Sequence, residues 1–278
     1  MKSSQKFIHL RNYTQYSLSK GAIKVKDLVN KCLKRKIPAI GISDFGNLFG
    51  SMEFSLECKA NGIQPIIGCN IYLVDNNFEN GYLLLIAKNE LGFKNLSRLV
   101  TISYLENSKE NYPYISFNDL LNHSSGLICL AGGEFGFISK NYSRERISKV
   151  NEAIKRLNEI FSNDFFLEIQ KDLSKNKGLH SFLITQSISK NIPLVATNEN
   201  FFLDKSFYES HDALLSISEQ KYLDSEDRLK SDRNFCFKED HEIVSDFKNL
   251  PDALDNTVMI AKKCSFFLEE RNPKLPKI

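Results

Sequence analysis

The pattern that most restricts this chain is an alternation of period. Short apolar runs of strand length recur, each giving way to a window in which apolar residues return every three or four positions. Phe7, Ile8, His9 and Leu10 read as a strand. Val25, Leu28, Val29, Cys32 and Leu33 then stand at i, i+3, i+4, i+7 and i+8, one face of a helix. Strand-like runs follow at 38–43, 63–74 and 81–87, with a helical window over 48–60 between the first two. Residues 127–130 repeat the theme, followed by the helical stripe Ile147, Val150, Ile154, Leu157 and Phe161. A strand over 165–169, a helix over 179–190 and a strand over 193–197 complete the alternation. Continuous apolar strands separated by helices predict a parallel sheet covered on both faces, and six or seven such units suffice to close a barrel. Beyond about residue 206 the pattern is mostly helical, ending in a helix over 252–264. The segment 104–113 is polar and reads as a loop.

Composition narrows the function classes. Lys and Arg number 37 against 34 Asp and Glu, a net charge of +3, too balanced for a protein that coats nucleic acid through many phosphate contacts. Any DNA contact by this chain is therefore expected to be weak or indirect; the basic run Lys31, Lys34, Arg35 and Lys36 reads as a solvated helix face. The longest apolar run, 83–87, is far too short to cross a bilayer, and the first residues lack the apolar core of a signal peptide. Six cysteines (32, 58, 69, 129, 236 and 264) contain no Cys-x-x-Cys pair and several lie inside apolar strings. They read as free, buried thiols in a reducing compartment, so the chain is expected to be cytoplasmic.

In parallel β/α folds, reactive groups gather beyond the C-terminal ends of the strands. The predicted strands end in Arg11-Asn12-Tyr13, Asp44-Phe45-Gly46-Asn47, Cys69-Asn70, Gly132-Gly133-Glu134, Gln170-Lys171-Asp172 and Asn198-Glu199-Asn200-Phe201. None carries a histidine, and His9, His123, His180, His211 and His241 do not converge in the pattern as a histidine-rich metal centre requires. Asp44, Glu134, Glu168, Asp172 and Glu199 are acids near strand ends, and as a set they are the candidates for a hard cation. Read structurally, Asp44 and Glu134 cap loops or helix starts, while Glu168 and Glu199 pair with cations such as Arg11 or Lys20. Neither a Gly-x-Ser-x-Gly elbow nor a phosphate-binding glycine loop is present; Gly132-Gly133 reads as a turn after a strand.

Several collinear motifs carry a resemblance. Residues 7–18, 38–50, 62–69, 84–96, 126–128 and 193–198, with Asn256-Thr257 and Ile260-Ala261, resemble the N-terminal PHP (polymerase and histidinol phosphatase) domain of bacterial replicative DNA polymerase III alpha subunits. The likeness spans almost the whole chain. It implies a distorted (β/α)7-like barrel over 1–270 with a helical C-terminal extension, and an exit segment over 271–278 toward a polymerase core that this sequence does not contain. Since the family continues beyond that point into palm, fingers and thumb, the sequence reads as an excised domain or a truncated frame.

The departures from the family pattern are as informative. The His-x-His pair of active members falls on Arg11 and Tyr13, and an acid a few residues on falls on Lys20. Other metal-site positions fall on Phe45, Asn70, Tyr82, Gly133, Asp172, Glu199 and Phe201; of these only Asp172 and Glu199 are able to hold a hard cation. The resemblance therefore implies a degenerate metal site with no bound cofactor, in which Arg11 and Lys20 replace the ions by pairing with Glu199, Asp172 or Asp44. The expected function is that of a catalytically inactive scaffold within a DNA-directed DNA polymerase (a nucleotidyltransferase of DNA replication). It would brace the polymerase core of the same subunit within the replisome and dock the proofreading exonuclease subunit. The alternative is a metal-dependent phosphoesterase or 3′–5′ exonuclease of the PHP type.

Overall fold

In a computed structural model, which describes residues 7–107, 112–171 and 178–270, one six-stranded sheet organises the molecule. Its strands are β1 (Ala39–Phe45), β2 (Gln64–Leu73), β3 (Gly81–Ala87), β4 (Leu127–Gly132), β5 (Phe165–Ile169) and β6 (Leu194–Ala196), and they lie in chain order. The helices are α1 (Val25–Arg35), α2 (Ser51–Ala60), α3 (Glu90–Leu105), α4 (Phe117–His123) and α5 (Phe137–Asn141) in the first half. α6 (Ile147–Phe161), α7 (Leu179–Lys190), α8 (Tyr208–Ser218), α9 (Asp240–Asp246) and α10 (Pro251–Lys263) follow.

The sheet is mixed, which corrects the expectation of a parallel one. β1 pairs with β2 in parallel, as β4 does with β5 and β5 with β6, but β3 runs antiparallel to both β2 and β4. The reason lies in the connection: residues 74–80 between β2 and β3 are too few for the crossover that a parallel partner needs.

Residues 7–14, expected to begin with a strand, do not form one in the sheet. They nevertheless lie along its edge. The carbonyls of His9 and Asn12 accept from the Gly41 and Ser43 amides of β1 at 2.9 and 3.0 Å, while the Tyr13 amide donates to the Asn200 carbonyl, past β6, at 2.9 Å. Side-chain amides replace the missing ladder bonds: Asn12 Nδ2 donates to the Gly41 carbonyl at 2.7 Å, and Asn200 Nδ2 to the Arg11 carbonyl at 2.9 Å. The segment thus bridges the two edge strands of the sheet, the place that a seventh barrel strand would take.

Period-two alternation then decides what faces inward. Ile66, Leu84, Ile86, Ile128, Leu130, Phe166 and Val195 form one buried cluster with Ile8, Leu10, the α10 residues Ile260 and Ala261, and Cys264 at the C-cap of that helix, so α10 plugs one end of the inner face. The opposite sheet face is covered by α3–α7 through residues such as Leu96, Leu99, Ile154 and Leu183, and by α1 and α2 through Val29, Cys32 and Phe54. All six cysteines are free and buried, and burial pushes the Cys32 and Cys264 thiols up to about 12. No helix among the described residues is long and apolar enough to cross a membrane.

Candidate functional site

Following the same alternation two residues further along each strand leads from the apolar interior to a polar end. Ile66 is succeeded by Gly68 and Asn70 on β2, Leu84 by Tyr82 on the reversed β3, Leu130 by Gly132 on β4, Phe166 by Glu168 on β5, and Val195 by Thr197 past β6. These positions share one mouth, and Arg11 and Tyr13 enter it from the bridging segment.

Arg11 is the centre. The residue is 2% exposed, and its guanidinium grips Glu168 bidentately: Nη2 donates to Oε2 at 2.7 Å and Nε donates to Oε1. Nη1 donates to Tyr13 Oη at 2.8 Å and to Asn70 Oδ1 at 2.9 Å, and the Glu199 carboxylate lies 3.8 Å from Nε. Burial works against the charge on Arg11, but Glu168, Tyr13 and Glu199 outweigh it and hold the guanidinium well above its ordinary range.

The surrounding groups are satisfied in turn. Tyr13 Oη accepts from Arg11 and from Asn70 Nδ2 at 2.9 Å, and donates its own proton to Glu199 Oε2. Glu199 Oε1 accepts from Gln170 Nε2 at 2.9 Å, and Glu168 Oε1 accepts also from Thr197. Burial lifts the Glu199 carboxyl above the ordinary glutamate range, against the pull of Arg11 and reinforced by Glu168. Two carboxyl groups facing one guanidinium out of water account for that direction. Burial likewise raises the Tyr13 phenol well above its ordinary value.

Gly133, in the left-handed conformation at φ 68°, closes one wall. A Cβ there would stand 3.1 Å from carboxylate oxygens of both Glu168 and Glu199 and 3.3 Å from Gln170 Nε2, so the bare glycine lets these side chains come close to the turn. Above the network, Tyr13 is fully buried and stacked on Phe45 (4.7 Å, 10°) and Phe201 (4.3 Å, 24°), which seals the charges from solvent.

The other expected site residues fall as follows. Lys20 does not join Arg11: its ammonium lies over the Phe45 ring at 4.7 Å and over Tyr82 at 5.9 Å, with no carboxylate partner among the described residues. Asp44, expected as a partner for those cations, is spent on its own neighbourhood. It accepts from the Thr14 amide, the Thr14 hydroxyl and the Ser17 hydroxyl at 2.7, 2.7 and 2.6 Å, which pins the loop that carries Lys20. Of the partners expected for Arg11, Glu168 takes the chief pairing and Glu199 the more distant one at 3.8 Å, as the structural reading of those two acids anticipated; Asp44 does not take part. Tyr82 lies at the rim, its phenol pushed up to about 12 by burial. Asp172 lies outside the described residues. Thr197, Asn12, Asn200 and His211 were not singled out by the sequence, although the two asparagines stand at predicted strand ends, where short amides often replace ladder bonds.

These donors do not fit a divalent cation. Such an ion requires carboxylate, imidazole or thiolate lone pairs turned toward a common point. Here the Glu168 and Glu199 oxygens are taken by Arg11, Thr197, Tyr13 and Gln170, and a fixed positive charge stands among them. Among the described residues no group of three or more His, Cys, Asp or Glu side chains is placed to hold a metal.

Comparison with known proteins locates this arrangement. The PHP domain model matches residues 9–172. The chain belongs to the PHP domain family. The DNA polymerase III subunit alpha of Caulobacter vibrioides is 35% identical over 280 aligned residues, covering 98% of this chain and 24% of the relative. That of Borreliella burgdorferi is 36% identical over 96% of this chain and 24% of its own length, and that of Haemophilus influenzae 31% identical over 100% and 24%. The match is to the N-terminal region of those subunits, so the chain spans about a quarter of the length of these curated relatives. A solved two-domain protein from Bacteroides vulgatus that contains a predicted PHP-like metal-dependent phosphoesterase aligns at TM-score 0.41 and 13% identity, over 69% of this chain and 50% of its own.

Proposed function

We propose that this PHP domain is a non-catalytic module of a replicative DNA polymerase III alpha subunit, cytoplasmic, bracing the polymerase core and docking the proofreading exonuclease subunit. The observation that carries the reading is the Arg11 guanidinium clamped bidentately by Glu168, with Tyr13, Asn70 and Glu199 around it. An internal cation of this kind, buried and with its donors committed to Glu168, Tyr13 and Asn70, keeps the walls of the mouth in place, and unlike a metal it cannot coordinate a water and lower its pKa for hydrolysis. What is left for selection to maintain is the shape and the outer surface. Relatedness to alpha subunits over nearly the full chain supports the replicase context. The ten degenerate positions, Arg11, Tyr13, Lys20, Phe45, Asn70, Tyr82, Gly133, Asp172, Glu199 and Phe201, belong to this proposal as a former metal site.

Two measurements test it. In a pull-down with the exonuclease subunit of the same organism, retention at micromolar concentration is expected; its absence removes the docking role. Hydrolysis of a generic phosphomonoester and of a 3′-labelled oligonucleotide is then assayed with added manganese and zinc. No turnover above the buffer rate is expected, and metal-dependent turnover abolished by chelation would restore the phosphoesterase or exonuclease reading.

A further inference from the structure

The loop that follows α8 differs in charge and in polarity from the rest of the molecule. Between residues 208 and 233 there are seven acids against four lysines and arginines, in a chain whose net charge is +3. The same stretch holds four large apolar side chains out in solvent: Ile217 (73% exposed), Tyr222 (83%), Leu223 (57%) and Leu229 (52%). We infer, resting on the docking role proposed above, that this loop is the surface on which the exonuclease subunit docks, through a segment of that partner in which lysine or arginine stands beside apolar side chains.

The exposure is built in. The loop folds back on the end of α8 and is fixed there: the Lys221 amide donates to the Ser216 carbonyl at 3.0 Å, the Ser216 hydroxyl to the Lys221 carbonyl at 2.7 Å, and the Leu229 amide to Glu219 Oε2 at 2.7 Å. Arg228 reaches the Leu223 and Leu229 carbonyls, both at 2.9 Å, and is anchored to Asp212 of α8 through two bonds of 2.9 and 2.6 Å. The Ser231 amide donates to the same Asp212 carboxylate at 2.8 Å, so the far end of the loop is tied to α8 as well. These bonds draw Leu223, Leu229 and the end of α8 that bears Ile217 together into one patch. Polar groups are spent inward and apolar ones are turned outward, the reverse of an ordinary surface loop. A single exposed leucine is commonplace, but a fixed group of apolar side chains gains its burial only against a partner.

The charge selects the partner. Asp212 is set against Arg228 and Asp227 against Lys221, whose ammonium lies 3.0 Å from Asp227 Oδ2. Glu209, Glu219, Asp224, Glu226 and Asp232 are then left beside Lys230 and Arg233, an excess of acid. Asp224 and Glu226, next to Tyr222 and Leu223, are exposed. Such a surface repels a phosphate backbone and an acidic protein alike, and it favours a partner that brings cations to the rim and apolar groups to the centre. Tyr222 is the anchor that such a contact uses, a large ring with a polar tip.

Calorimetric titration of the 278-residue chain with the exonuclease subunit of the same organism tests this. The double variant Tyr222→Ser, Leu223→Ser is expected to weaken binding about tenfold or more. Asp224→Lys with Glu226→Lys should weaken it about fivefold, and parent binding should weaken as salt rises from about 0.05 to about 0.5 M. Ile188 on α7 is as exposed, at 78%, and lies on another helix, so Ile188→Ser should bind like the parent. A thermal melt confirms that each variant is folded. Absence of binding by the parent removes the docking role and this surface with it. Parent binding that either double variant keeps at full strength leaves the docking role standing and overturns the placement. An equal loss in Ile188→Ser, or binding indifferent to salt, overturns it too.

Discussion

At the scale of single residues, Arg11 decides the character of the mouth. Removing one partner of a buried ion pair leaves the other charge unsatisfied, at a cost of about 3–5 kcal/mol. Arg11→Met is therefore expected to lower the unfolding free energy by that amount in urea denaturation; a loss below about 1 kcal/mol would show that the pair does not hold the mouth together. Glu199 gives a second expectation, with a sign set by its raised pKa. Unfolded, a glutamate ionises near about 4.3. In the fold, burial delays that ionisation to higher pH. The folded chain therefore holds a proton that the unfolded chain has released, and stability falls as pH rises from the unfolded value through the folded one. Glu199→Gln keeps an acceptor for Tyr13 and removes the titration. The variant should lose this fall in stability, so that its advantage over the parent grows as pH rises above the unfolded glutamate value. Parallel stability–pH curves for the two proteins would refute it. Arg11 and the acids were visible in the sequence as charges at strand ends. The choice of Glu168 over Glu199 as chief partner was not, because it depends on Gly133 admitting both carboxylates and on Tyr13 occupying one of them.

At the scale of elements, β3, β5, α6 and α7 were legible to the residue, since each is bounded by turn-forming or polar residues and has a clear period. α3 was missed: its N-terminal signal, Asn89 accepting from the Gly92 amide at 3.0 Å, is short and local, and its buried positions are interrupted by polar ones. Strand direction was missed because periodicity carries no direction. The bridging segment shows most clearly how tertiary context overrides local pattern. Phe7 to Leu10 has strand composition, yet its pairing is shared between backbone carbonyls and the amides of Asn12 and Asn200. Gly41 permits this closeness: a Cβ there would stand 2.6 Å from the Leu10 carbonyl oxygen. Gly41→Ala is expected to cost about 1–3 kcal/mol, the range for overpacking, by prising the segment from β1. Amide hydrogen exchange provides the check. Protection should drop at the amides of position 41, Ser43 and Tyr13, which make the bridging bonds, and stay unchanged at Leu84 and Leu130 in the middle of the sheet. Equal loss across the sheet would mean that the segment is not a separable closing element.

At the scale of the whole molecule, the question is what holds the open end of the sheet in shape. α10 and its C-cap plug one end of the inner face with Ile260, Ala261 and Cys264, and the Arg11 network fills the other. If a divalent cation were part of the native fold, its affinity would add directly to stability, since a ligand at a hundred times its Kd contributes about 2.7 kcal/mol. Chelation would then lower the melting temperature by several degrees, and titration with zinc or manganese would raise it. With the carboxylates already occupied by protein donors, neither shift is expected: the melting curve should coincide in excess EDTA, in buffer, and in added zinc or manganese. The comparison gains force from Arg11→Met, in which the carboxylates lose their internal cation. If the guanidinium takes the place of an ion, that variant alone should gain stability from added divalent metal, because Glu168 and Glu199 then face each other unneutralised. A parent protein stabilised by metal as strongly as the variant would show that Arg11 and the ion do not compete for one place, and the account of the mouth as a charge-filled keystone would have to be abandoned.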